Sequence, residues 1–90
     1  MNRNEEILVI LQEECAEVIQ AVSKVRRFGL DQNEQDLKKE LADLRCMIDL
    51  VEAYKVVTYY PQELGSMIIA KQKKLEVYSN IFSEVNNAVI

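Results

Sequence analysis

The sequence contains no histidine and no tryptophan, only two glycines, one proline and two cysteines. Each scarcity excludes something. Without histidine there is no Ser-His or Cys-His nucleophile, and a metal could be held only by oxygen ligands or by the cysteines. Cys15 and Cys46 lack metal-ligand spacing and fall in helical patterns, so they are expected as two buried free thiols in a reducing cytosol rather than as a disulfide. Basic residues are never dense enough to form a phosphate-neutralising stripe. Lys71, Lys73 and Lys74 form a short dense cluster in a chain of net charge −4, which argues against a nucleic-acid polymer as partner. No apolar run approaches a membrane span, and Met1-Asn2-Arg3-Asn4-Glu5-Glu6 has no signal-like apolar region, so no membrane is expected and a cytoplasmic location is.

Breakers this rare make the breaks easy to place. A first helix is expected from about Asn4 to Phe28, capped by Asn2 or Asn4, with Glu5 and Glu6 at its positive end, Arg26 and Arg27 at its negative end, and Gly29 to stop it. A second starts near Asn33 or Asp36 and runs to about Lys55, with Leu37, Leu41, Leu44, Ile48 and Val51 as a buried seam. Val56 to Pro61 reads as a loop, since no other segment could pair with it as a strand. A third helix begins at Pro61 or Gln62 and carries Leu64, Ile68, Leu75 and Phe82 on one face. Ser79-Asn80 ends it, leaving Ile81 to Val89 as a short fourth helix. The expected fold is all-α: one domain over 1–90, an antiparallel bundle of three long helices with a short fourth. The chain is 49% apolar, more than a lone three-helix unit can hide, so the bundle is expected to be completed by oligomerisation.

Against that background, two pairs of acids stand out: Glu14 and Glu17 in E-C-A-E, and Glu40 and Asp43 in E-L-A-D. Members three apart lie about one helical turn from each other. On a helical wheel Ile7, Val25, Val18, Leu11, Val22, Cys15 and Leu8 fill one sector, and Glu14 falls roughly 20° outside its Ile7 edge. Glu17 lies further round, at the margin, and Glu13 joins Gln20 and Lys24 on the polar face. On the second helix Glu40 falls between Val51 and Met47, and Asp43 between Tyr54 and Leu50, whereas Arg45, Asp49 and Glu52 lie opposite. Each long helix thus aims two acids at the bundle interior or its mouth, Glu14 and Glu40 deepest.

Unpaired carboxylates in such a place cost several kcal/mol and repel one another. They can protonate, pair with Lys or Arg, or share a divalent cation. An all-oxygen set suits Mg²⁺ or Mn²⁺. On the third helix Lys71 lies inside the apolar stripe and Lys74 at its edge; either could neutralise the acids, receive a phosphate, or simply snorkel at the rim.

E-E-C-A-E at Glu13 to Glu17, followed by K-E-L-A-D-L at Lys39 to Leu44, resembles the E-E-x-x-E … E-x-x-D signature of the MazG-like nucleoside triphosphate pyrophosphohydrolases, of the all-α NTP pyrophosphatase superfamily. The resemblance covers roughly Glu5 to Tyr78. It implies Mg²⁺ ligation by Glu14, Glu17, Glu40 and Asp43, with Glu13 just behind them. It implies cleavage of an NTP or dNTP between the α- and β-phosphates, phosphate contacts from Lys71 and Lys74, and a homodimer or homotetramer. The downstream segment Ala70 to Leu75 lacks the Asn of many relatives, and no Pro follows Tyr78. Two other readings stand beside the enzyme: a helical oligomerisation or regulatory module whose acids pair with lysines of a neighbour, and a nucleotide binder without turnover.

Overall fold

The computed structural model describes residues 1–83. It contains three helices, α1 (Arg3–Phe28), α2 (Glu34–Ala53) and α3 (Glu63–Tyr78), and no strand among the described residues. The all-α expectation holds, and residues 56–60 form a loop.

The ends of the helices reflect local chemistry. Asn2 caps α1: its Oδ1 accepts the Glu5 amide at 2.8 Å while its Nδ2 donates to Glu5 Oε1 at 3.1 Å, satisfying one of the otherwise orphaned first-turn donors. Gly29, at φ 97°, terminates the helix, and its amide returns to the Val25 carbonyl at 2.8 Å. The short connection is then closed by Asn33, whose Nδ2 donates to the Gly29 carbonyl at 2.9 Å. α2 stops at Ala53, two residues before the expected Lys55. Lys55 itself is left-handed at φ 56°, and the Val56 amide reaches back to the Val51 carbonyl at 2.9 Å, a Schellman-type closure made without glycine.

α3 begins at Glu63 rather than at Pro61 or Gln62 because those two residues are spent on a turn. The Glu63 amide donates to the Tyr60 carbonyl at 3.0 Å with Gln62 at φ 70°, and Pro followed by a positive-φ residue is the pattern of a type II turn. The Glu63 carboxylate also accepts the Tyr60 amide at 2.9 Å. After α3, residues 81 and 82 form a turn and residue 83 a bend, so no helix begins at Ile81 as expected; residues 84–89 of the expected fourth helix lie outside the described residues.

The chain divides into two compact units, Met1–Thr58 and a second that starts at Tyr59 and contains α3. The first is an antiparallel helical hairpin. Ile7 of α1 is buried with Met47 and Val51 of α2, and Ile10, Leu11, Leu50 and Val56 pack against them. Towards the connecting loop Ala21 is buried as well. In the second unit α3 buries no residue; Leu75 is half-buried, and Leu64 and Ile68 of its apolar face are exposed.

The buried line along the hairpin is not the centre of the apolar stripes. On α2 it runs through Met47 and Val51, rotated by roughly 60° from Leu37 towards the acids. Leu41 and Ile48 of the expected seam are left 47% and 44% exposed. On α1 it runs through Ile7 and Ala21, and Leu8, Cys15 and Val22 are exposed. Two helices can bury only the strip between their axes, and both stripes here are wider than that strip. The hairpin therefore has two unlike flanks: Leu8, Val22, Leu41 and Ile48 on one, the acids on the other.

The cysteines correct the sequence reading. Both are free, as expected, but both are exposed. Cys15 lies on the apolar flank beyond the buried strip, and Cys46 lies about 180° round α2 from Leu37. No helix among the described residues is long and apolar enough to cross a membrane.

Candidate metal centre

Because α1 and α2 are antiparallel, the two acid pairs meet in reverse order. With Ile7 set against Met47 and Val51, each turn up α1 faces a turn further down α2, and Glu14 comes level with Glu40 and Asp43. One carboxylate oxygen from each of these three lies within 4.8 Å of the other two, and all three side chains are half-buried. This is the one such group of acids, thiols or imidazoles among the described residues.

Glu17 is one turn further on and exposed. It does not belong to the triad, but it lines a groove of about 230 Å³ with Glu40, Gln20, Ala21, Lys24 and Asp36. Glu13 is exposed on α1. Lys71 and Lys74 are exposed on α3, in the second unit.

Electrostatics mark the triad as strained. The Glu14 carboxyl is held above its ordinary value of 4.5, first by partial removal from water and then by the charges of Asp43 and Glu40; Glu17 adds to the rise, and Lys39 opposes it. Three carboxylates this close raise the cost of ionising any one of them.

A lysine answers part of that cost. Lys39 Nζ donates to Asp43 Oδ2 at 2.9 Å and stands 3.6 Å from Glu40 Oε1. The hydrogen bond to Asp43 and the charges of Asp43 and Glu40 hold its ammonium above the ordinary lysine value of 10.5. The Lys39 side chain is 69% exposed, against 41% for Asp43 and 17% for Glu40, so a solvated cation reaches in towards drier carboxylates. Spacing on α2 could have flagged Lys39, since it stands four residues before Asp43, but only the fold shows that it serves acids drawn from two helices.

The donor set suits a hard divalent cation. All three groups are carboxylates, with no sulfur or nitrogen among them. Two oxygens bound to one octahedral Mg²⁺ lie about 3 to 4 Å apart, and the three oxygens, all within 4.8 Å of one another, are close to that spacing.

No curated protein and no solved structure matches the chain. A family model does: that of the MazG nucleotide pyrophosphohydrolase domain, over residues 2–54. The matched stretch is more than half of the sequence and contains α1, α2 and all four acids of the two pairs. The chain belongs to the MazG nucleotide pyrophosphohydrolase family.

Proposed function

We propose that the protein is a Mg²⁺-dependent nucleotide pyrophosphohydrolase, with Mn²⁺ as an alternative ion, that cleaves an NTP or dNTP between the α- and β-phosphates to yield a nucleoside monophosphate and pyrophosphate. The carrying observation is the triad of Glu14, Glu40 and Asp43, assembled from both helices of the segment that the family model matches.

In this reading Glu14, Glu40 and Asp43 hold the ion, and Glu17 is the fourth ligand, brought in by rotation from the neighbouring turn. When bound, such an ion neutralises phosphate oxygens and makes a coordinated water a better nucleophile. The remaining work is positioning. The groove lined by Glu17, Gln20, Lys24, Asp36 and Glu40 shares Glu40 with the triad, and a polyphosphate lying there would need the ion, together with Lys24, to offset its three carboxylates. Lys71 and Lys74 are the proposed phosphate contacts, and Glu13 or one of the ligands takes the water's proton.

Self-association belongs to the same proposal. Leu8, Val22, Leu41 and Ile48 are exposed on one hairpin flank, and covering them in a homodimer or homotetramer would bury the apolar surface that α1 and α2 leave open. Sedimentation of the wild type and of Leu41→Glu tests this; an assembly that survives the substitution unchanged rules the flank out.

The activity is tested by incubating the protein with each NTP and dNTP plus Mg²⁺ and measuring pyrophosphate. Turnover that disappears in Glu40→Gln supports the assignment; no turnover of any nucleotide, or full turnover by that variant, overturns it. The rival reading, an oligomerisation or regulatory module, predicts no change in Tm on adding Mg²⁺ or Mn²⁺, whereas a real site raises Tm by mass action. Nucleotide binding without pyrophosphate release would select the binder.

A further inference from the structure

The triad has a cation of its own. Lys39, the sixth residue of α2 (Glu34–Ala53), precedes Asp43 by four residues, a spacing that puts it within reach of that carboxylate, in the weaker order for a helical ion pair. Its Nζ is 2.9 Å from Asp43 and 3.6 Å from Glu40. Two of the three triad members thus touch the ammonium directly, and Glu14, from the other helix, is close enough to feel its charge.

The oxygens that Lys39 contacts are on residues that would bind an ion. Asp43 cannot direct the same Oδ2 lone pair to an ammonium and to a metal, and two cations at one small cluster repel each other. We propose that Lys39 is a resident counter-ion of the carboxylate triad, which a divalent cation must displace in order to bind. The idea rests on the proposed metal site and adds a regulation to it. The displaced ammonium keeps its long exposed stem and swings into solvent, so the exchange needs no backbone movement. Lys39 thereby lowers the affinity of the site and keeps the three acids compatible with folding before the ion arrives.

The test is Mn²⁺ binding by isothermal titration calorimetry, with Tm measured after chelator treatment, for the wild type, Lys39→Met, Lys39→Arg and Lys38→Met. Lys38 makes no ion pair among the described residues, so its variant carries the same change in net charge away from the triad. Lys39→Met is expected to bind Mn²⁺ about 5- to 10-fold more tightly, between the most an exposed ion pair contributes and the least a charge-assisted hydrogen bond does. Its Tm after chelation falls. Lys38→Met and Lys39→Arg stay within about 2-fold of the wild type, as expected where the local charge is retained or was never at the site. Should Lys39→Met fold poorly, Lys39→Gln carries the same comparison. Wild-type binding with an unchanged or weakened affinity in the variants lacking the charge overturns the role of Lys39 and leaves the metal site standing. Failure of every protein to bind Mn²⁺ overturns both.

Discussion

The guanidinium of Arg3 lies 4.0 Å from the centre of the Tyr54 ring, so the first residue of α1 is joined to the residue that ends α2. The contact closes the hairpin at the end opposite its loop and helps to hold the register on which the acid triad depends. A cation over an exposed aromatic face is worth about 0.5–1 kcal/mol. Arg3→Ala and Tyr54→Leu should each lower stability by roughly that amount, and a double-mutant cycle should return a coupling of the same size. Additive losses would mean that the pair does not interact in solution.

The core is small enough for one side chain to matter. Ile7 is 6% exposed and meets Met47 and Val51, the other two buried members of its cluster. Truncating a buried Ile or Met to Ala typically costs about 2–5 kcal/mol. Ile7→Ala should fall near the lower end, because partly exposed neighbours can relax into the gap. Urea unfolding checks it; a loss under about 0.5 kcal/mol, the size of a surface substitution, would show that the hairpin packs differently.

Glu14 should make the protein less stable, not more, as pH rises from acid towards neutral when no divalent ion is present. Its folded pKa lies above the ordinary 4.5. Between those two values the folded chain holds more protons than the unfolded one, so the free energy of unfolding falls as pH increases through the window, and the full cost persists above it. Glu14→Gln should therefore raise Tm at neutral pH after chelation and flatten the acid-side slope, while abolishing the Tm increase caused by Mn²⁺. Thermal melts across the acid range, with and without Mn²⁺, measure both effects.

The four acids should not be equal. Glu14, Glu40 and Asp43 share the triad, and Glu17 lies outside it. Glu40 is already grouped with Glu14 and Asp43, whereas Glu17 must rotate in from the neighbouring turn before it can bind an ion. Glu40→Gln should therefore lose at least the roughly 10- to 100-fold typical of a supporting group at a metal site, and Glu17→Gln distinctly less. Pyrophosphate release and Mn²⁺ titration on the two variants give the comparison, and equal losses would show that Glu17 holds the ion as firmly as the triad does.

Much of the fold could be read from the chain because its breakers are so few. Gly29 and the Pro61 turn bracket α2 and its flanking loops, and Asn2 with Glu5 marks a helix start by hydrogen-bonding chemistry alone. The orientation of each buried strip was harder. Met47 and Leu41 are both apolar and nearly as far from Leu44, and nothing local tells which of them a partner helix will cover; the hairpin buries Met47 and exposes Leu41. The acids were legible as two pairs, since each pair sits on one helix. Their grouping as Glu14 with Glu40 and Asp43 was not, because it depends on register between helices. Lys39 escaped for a related reason: its ordinary-looking pairing with Asp43 gains a different meaning only when Glu14 arrives from α1.

The antiparallel meeting of α1 and α2 has a consequence for how such a chain can vary. The stretch around Gly29 to Asn33 sets only how the chain turns back, so residues added there lengthen the excursion without disturbing which oxygens face each other. A single residue inserted inside either helix is another matter. Placed between Glu14 and Ala21 or between Glu40 and Met47, it rotates one part of the helix against the other by about 100° and separates an acid from the buried strip that positions it. Tolerance to insertion should therefore be high at the bend and absent along the two rods, an asymmetry that a scanning insertion library would read directly.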